Sequence, residues 1–492
     1  MSNTPFRRAP AHASRRAFLR QGSAMSLAAA AAPWGLNLAA LAASAHAAAA
    51  GSDTGDGYKA LVCVFLQGGN DHANTVVPVD AAGHALYARL RGGLATPRAT
   101  LLPLTPSAEA PAVSGLGAGQ LALSPSLPKL QGLFNTDRRL AVLLNIGPLK
   151  QPTTLAQFKA RNVPLPPKLF SHNDQQSVWQ SHAAEGSTVG WGGVIGDQGL
   201  LLNRAAQATE SLSCVNLAGN SVYLAGQQAG QFMVNPQGPD RLLALQPANM
   251  LGSQACVDAF KALVGTQEPS VHRLAKEHSA IMRRAMDTNG LLLEKLANVT
   301  VPAARAQPSG NPLADQLRTA ARIMAAHRSL GAAGEGIRRQ VFFVSLGGFD
   351  LHDNLSGQHP VLLAQLDEAL AQLDADLGAL QMRDQVTAFT ASDFGRTLSS
   401  NGDGSDHGWG AHHFVVGGAV QGGEVYGTFP QYSTTSPTGE IHRGVLLPTT
   451  SVDQYAYTLG KWMGVSTGDL SALLPNLNQF NASTHDLAFM RA

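Results

Sequence analysis

The 492-residue chain carries 35 Lys and Arg against 33 Asp and Glu, a net charge of +2, with 44% hydrophobic and 14% charged residues. That balance excludes a disordered chain, which needs the opposite proportions, and a nucleic-acid binder, which needs a basic face against phosphates. Three cysteines are too few for a disulfide scaffold, and no Cys-x-x-Cys pair offers a thiolate zinc site.

Residues 1–47 read as an address. Ser14-Arg15-Arg16-Ala17-Phe18-Leu19-Arg20 is a twin-arginine pattern, an Ala-rich stretch follows over residues 24–43, and Ala45-His46-Ala47 is a small-x-small cleavage site. A membrane anchor is the competing reading, but alanine makes the stretch only weakly hydrophobic. The expected mature chain, 48–492, is exported through the twin-arginine machinery and works in the periplasm or as a secreted protein. No later stretch has the ~20 uninterrupted apolar residues of a spanning helix, so no membrane span is expected there.

Residues 60–66 are a continuous apolar run, as expected of a strand buried on both faces in a parallel sheet. The run breaks at Gln67-Gly68-Gly69-Asn70-Asp71. Residues 84–120 are rich in Gly, Pro and Ala and read as a loop or insertion. A helical stretch at 127–134 precedes a second buried strand, 140–146. Residues 200–260 read as an irregular, β-rich insertion, and 312–330 as a helix. A third strand, 341–346, ends at Gly347-Gly348-Phe349-Asp350. Leu363, Leu366, Leu370, Leu373, Leu377 and Leu380 then form one helical stripe, with Pro360 expected in the first turn. A fourth strand, 386–390, ends at Ala391-Ser392-Asp393. Strand–helix–strand in this order predicts a right-handed parallel crossover. The fold class is α/β: a three-layer sandwich with a mostly parallel central sheet, in one domain over 48–492. Cys63 sits in an apolar strand and reads as core; Cys214 and Cys256 are free to pair in an oxidising compartment.

Three strands each deliver an aspartate at the carboxyl end: Asp71, Asp350 and Asp393. Ligands of open α/β sheets bind outside those ends. Converging carboxylates repel unless a cation joins them, and a divalent metal does so most simply. His352 lies two residues past Asp350, and Asp406-His407-Gly408-Trp409-Gly410-Ala411-His412-His413 is a dense turn. Asp with neutral imidazole suits zinc, manganese or iron better than calcium. Taken singly, an aspartate after a strand is more often a cap or turn former. Ser171, at a helix start, is a candidate nucleophile, since free backbone donors there hold an oxyanion or phosphate. With Asp174 three residues on, it also resembles a capping box. Arg396 is a candidate clamp for an anionic oxygen or a partner for a site carboxylate.

These segments resemble the bacterial family of twin-arginine-exported proteins designated domain of unknown function 1501. The resemblance is carried by residues 65–71, 169–175, Gly190-Trp191-Gly192-Gly193, 347–352, Ser392-Asp393-Phe394-Gly395-Arg396-Thr397, 406–413, 446–455 and Pro475-Asn476-Leu477. The family is distantly similar to the alkaline phosphatase and sulfatase superfamily. That similarity implies an alkaline-phosphatase-like fold with one or two metals, zinc or manganese. It implies Asp71, Ser171 and Asp393 around one ion, and Asp350, His352 and His407 around the other, with His412 a further ligand. Phe394 departs from the Asp-His of superfamily phosphatases, which puts the second metal in question. The reading implied is an exported metal-dependent hydrolase of small anionic phosphate or sulfate esters. No sulfatase-type Cys/Ser-x-Pro/Ala-x-Arg motif surrounds Ser171, which favours phosphate. A non-catalytic exported binding or assembly protein is the alternative, and a redox metalloprotein a third.

Overall fold

Seven of the eight residues of the strand Lys59–Leu66 are buried, and its neighbours explain why. It pairs in parallel with Arg339–Leu346 on one edge and Val386–Ser392 on the other. Its side chains alternate between two cores. Ala60, Val62, Val64 and Leu66 pack into the cluster that includes Leu363, Leu366, Leu370 and Leu373. Leu61, Cys63 and Phe65 pack into the cluster that includes Trp191, Tyr455 and Leu459. An interior strand with helices on both faces has no polar side, so its sequence is apolar throughout. Each fully buried Leu or Phe contributes about 2 kcal/mol.

The computed structural model describes residues 57–107, 113–116, 120–205, 210–265, 272–301, 310–330, 336–430, 432 and 441–491. The twin-arginine pattern and its cleavage site lie outside them. Among the described residues the main sheet has nine strands. In spatial order these are Val425–Tyr426, Leu140–Gly147, Ala411–Gly417, Val386–Ser392, Lys59–Leu66, Arg339–Leu346, Cys214–Asn216 and Phe232–Met233, with Thr450–Ser451 also beside Leu140–Gly147. Only Ala411–Gly417 runs against the rest. The result is an α/β three-layer sandwich with a mostly parallel sheet. No helix among the described residues is long and apolar enough to cross a membrane.

Several expectations change in detail. The stretch 84–120 is not simply loop: the helix Ala81–Arg91 runs into it, and Leu102–Pro103 joins Val76–Pro78 and Leu121–Leu123 in a small antiparallel sheet. The stretch 200–260 supplies the last two strands on one side of the main sheet, Cys214–Asn216 and the edge strand Phe232–Met233. The leucine helix spans Leu355–Ala379, so Pro360 is its sixth residue and falls beyond the first turn. Cys63, Cys214 and Cys256 are all free thiols, so the pairing of Cys214 with Cys256 does not form. Cys214 is buried in the sheet, against Gly196.

The segments at 446–455 and 475–477 meet at Asp453. Ser451 caps the helix Val452–Trp462 in a capping box with Gln454. The buried Asp453 carboxylate accepts from the Ser451 hydroxyl at 3.1 Å and the Asn476 N–H at 3.0 Å, and lies 3.4 Å from His182 Nδ1.

Candidate metal centre

Three imidazoles and one carboxylate converge beyond the carboxyl ends of the central strands. Asp350 follows the strand Arg339–Leu346 through a glycine turn, and His352 is two residues on. His407 ends the short strand Ser405–His407, which pairs with Arg396–Ser400. His172 is the first residue of the helix His172–Ser181.

The contacts fix which nitrogen each ring presents. His172 Nδ1 lies 2.6 Å from Asp393 Oδ2, and His407 Nδ1 lies 2.7 Å from the Phe170 carbonyl. His352 Nδ1 lies 3.4 Å from Asp406 Oδ1. With the proton held at Nδ1 beside these oxygen acceptors, each ring offers Nε2 as its ligand atom. The Nε2 of His407 is 3.1 Å from that of His172 and 2.9 Å from that of His352. Asp350 completes the group: Oδ1 is 3.2 Å from His407 Nε2 and 3.1 Å from His352 Nε2, and Oδ2 is 3.4 Å from His172 Nε2.

Lone pairs facing one another at these separations repel unless a cation or proton sits between them. Donors about 2.0–2.1 Å from one tetrahedral zinc are roughly 3.3 Å apart; His172, Asp350 and His407, whose ligand atoms all lie within 4.8 Å of one another, fit such an ion in chemistry and spacing, with His352 Nε2 beside His407. The carboxylate–histidine pairing at His172 is the usual outer support of a metal-bound imidazole.

Charge is balanced around the group. Arg396 is fully buried; its Nη1 donates to Asp350 Oδ1 at 2.7 Å and to the Gly68 carbonyl at 3.2 Å, and its remaining nitrogens reach Ser405. Burial raises the Asp350 pKa, but the Arg396 hydrogen bond and charge outweigh it and hold the carboxyl below its ordinary value. The Asp393 hydrogen bond lifts the His172 pKa, whereas burial lowers that of His407. The Phe394 ring packs 4.8 Å from His172 and 4.6 Å from His407, centre to centre, as an apolar wall.

A family model described as Protein of unknown function (DUF1501) matches residues 58–474. The chain belongs to this family. No match was found among curated proteins. Among solved structures, the chain is similar to Ps i-CgsB in complex with k-i-k-neocarrahexaose at 9% identity and TM-score 0.36, covering 86% of this chain and 77% of that one. It is similar to the zinc complex of the C-terminal periplasmic domain of EptC from Escherichia coli at 12% identity and TM-score 0.31, covering 84% of each. A 2-O GAG sulfatase aligns at 9% identity and TM-score 0.26, covering 83% of this chain and 71% of that one. These overlaps are too loose to transfer residue roles.

In this DUF1501 chain the candidate residues separate into two groups. Asp350, His352 and His407 meet at the centre. Asp393 stands behind His172: its Oδ2 contacts His172 Nδ1 and accepts from Gln176 Nε2, and Oδ1 accepts from Gly68 N–H. Asp71 is elsewhere, buried in an ion pair with Arg91, whose charge takes the role expected of a metal. His412 is also elsewhere. It points into the interior, where its Nδ1 accepts from Asn145 N–H at 3.0 Å and its ring packs against His72. Burial holds its pKa down to about 3, so it stays neutral. Arg396 pairs with Asp350, the second of its two expected roles. Ser171 occupies the N-cap position without a side-chain cap bond, so the capping box does not form; its hydroxyl donates to Asp174 Oδ2 at 3.1 Å. Residue-type reasoning passed over His172, although it stands next to Ser171.

Proposed function

We propose that this chain is an exported, metal-dependent hydrolase of phosphate esters, with sulfate esters as the wider class. The single observation behind this is the meeting of His172, His407 and Asp350, whose ligand atoms all lie within 4.8 Å of one another, with His352 Nε2 2.9 Å from that of His407. Zinc suits a three-nitrogen, one-oxygen set best, with manganese second. Held there, such an ion supplies Lewis-acid polarisation of an ester oxygen and lowers the pKa of a hydroxyl or water beside it.

The chain's own residues have distinct parts. Ser171 is the proposed nucleophile, and Asp174, which accepts a hydrogen bond from its hydroxyl, is the proposed base. Asp393 orients His172. Arg396 has its donors committed to Asp350, Gly68 and Ser405, so it positions Asp350 rather than gripping substrate. One ion per chain is proposed, because Arg91 occupies Asp71 and Phe394 stands beside His172 and His407. Export rests on the twin-arginine pattern, and Arg15→Lys with Arg16→Lys is expected to retain the chain in the cytoplasm.

The test uses purified, metal-reconstituted protein. Metal analysis is expected to give about one zinc per chain, and an aryl phosphate to be hydrolysed by wild type but not by His407→Ala or Ser171→Ala. Full occupancy without turnover of a broad panel of phosphate and sulfate esters would instead favour a non-catalytic exported binding or assembly protein.

A further inference from the structure

Beside the centre lies a cavity of about 300 Å³ that His352 and His407 line together with Phe170, Val445, His442 and Arg443. Phe170 and Val445 make it partly apolar. The arginine is the feature the hydrolase reading leaves unused. Val445 N–H donates to the His442 carbonyl at 2.9 Å, closing a turn whose central residues, Arg443 (φ 49°) and Gly444 (φ 79°), are both left-handed. That turn ordinarily selects Asn-Gly. A left-handed arginine is strained, and such strain persists only where the surroundings impose it. Here they do: the Arg443 and Gly444 carbonyls accept from Ser399 and Leu398 N–H, each at 3.1 Å, pinning the turn to the strand Arg396–Ser400.

The side chain is 56% exposed, and Nη1 contacts Asp406 Oδ2 at 2.7 Å. Asp406 also meets His352 Nδ1 through its other oxygen, so one carboxylate ties the arginine to a ligand of the centre. A guanidinium has five donors in a planar fork suited to carboxylate and phosphate. The Asp406 contact uses only one face of that fork.

We infer that this cavity is an anion subsite, and that the substrate is a small phosphate ester carrying a second anionic group, which Arg443 takes while the ester sits at the metal. The inference rests on the hydrolase reading. A volume near the lower end of ligand pockets suits a compact organic acid better than an oligosaccharide.

The experiment compares two phosphonates that differ only in the tail, 3-phosphonopropionate and propylphosphonate, by calorimetry on the zinc-loaded protein. The carboxylated compound is expected to bind about tenfold tighter or more, the scale of one charge-assisted contact. The affinity ratio is expected to collapse to about twofold or less in Arg443→Asn, which keeps the left-handed turn but loses the charge, and to survive in part in Arg443→Lys. Equal binding of both compounds to wild type, or an undiminished ratio in Arg443→Asn, overturns the subsite and leaves the hydrolase reading standing. If neither phosphonate binds, both readings fall.

Discussion

Oδ2 of Asp393 lies 2.6 Å from Nδ1 of His172, so a buried carboxylate just past a central strand grips the first residue of a helix 221 positions away in the chain. The contact determines which ring nitrogen faces Asp350. It also predicts a graded response. Asp393→Asn is expected to weaken metal binding by about ten- to a hundredfold, the usual effect of removing an outer carboxylate. His172→Ala, which deletes a proposed ligand, is expected to weaken it further. Competition titration against a chromophoric chelator measures both; equal losses would show that Asp393 is itself a ligand.

The buried pair of Asp71 and Arg91 carries a different prediction. Asp71→Ala leaves a guanidinium uncompensated in the interior, where it also donates to the Thr397 and Leu398 carbonyls. A loss of about 3–5 kcal/mol in stability is expected. Zinc content per folded chain is expected to stay at the wild-type value. Denaturant unfolding and metal analysis on the same preparation decide it: metal loss at undiminished stability would return Asp71 to the ligand set.

These two residues show how far the sequence could be read. Asp71, Asp350 and Asp393 were legible as strand-end carboxylates because the apolar runs before them mark interior parallel strands, and such strands end on the ligand-binding rim. Which carboxylate meets a metal was not legible. The partner of Asp71 is an arginine on the helix Ala81–Arg91, at the start of a stretch whose Gly and Pro content resembles a loop. His412 lies apart from the other three imidazoles for a local reason. It sits in the strand Ala411–Gly417, all of whose residues are buried, whereas His407 stands at the end of a half-exposed strand on the rim. His172 was missed because its meaning lies entirely in contacts with Asp393 and His407, and no periodicity encodes those.

Gly68 limits how Asp350 is held. It has φ 111°, and a Cβ there would lie 2.3 Å from the Asp350 backbone nitrogen. Gly68→Ala must therefore push the Asp350 turn away or strain both segments. Weakened metal binding is expected alongside a stability loss of about 1–3 kcal/mol. A variant that keeps wild-type zinc affinity in chelator competition would show that Asp350 tolerates the shift.

Asp453 gives the fold a pH dependence whose sign follows from its surroundings. Burial alone would raise its pKa, but the charge of His182 and hydrogen bonds from His182 and Asn476 prevail, so the folded value lies below the ordinary one. A carboxylate depressed in the folded state stabilises the protein above its unfolded pKa, about 3.9, and loses that contribution as pH falls through the folded value. Asp453→Asn is expected to cost about 1–3 kcal/mol at neutral pH, since the hydrogen bonds that Asp453 accepts from Ser451 and Asn476 lose their charge. The gap between variant and wild type should then narrow in acid, because the protonated wild type comes to resemble the amide. Urea unfolding at a series of pH values from neutral to about 3 measures the gap. A difference constant across the series would mean that packing, and not the ionised carboxylate, is what Asp453 contributes.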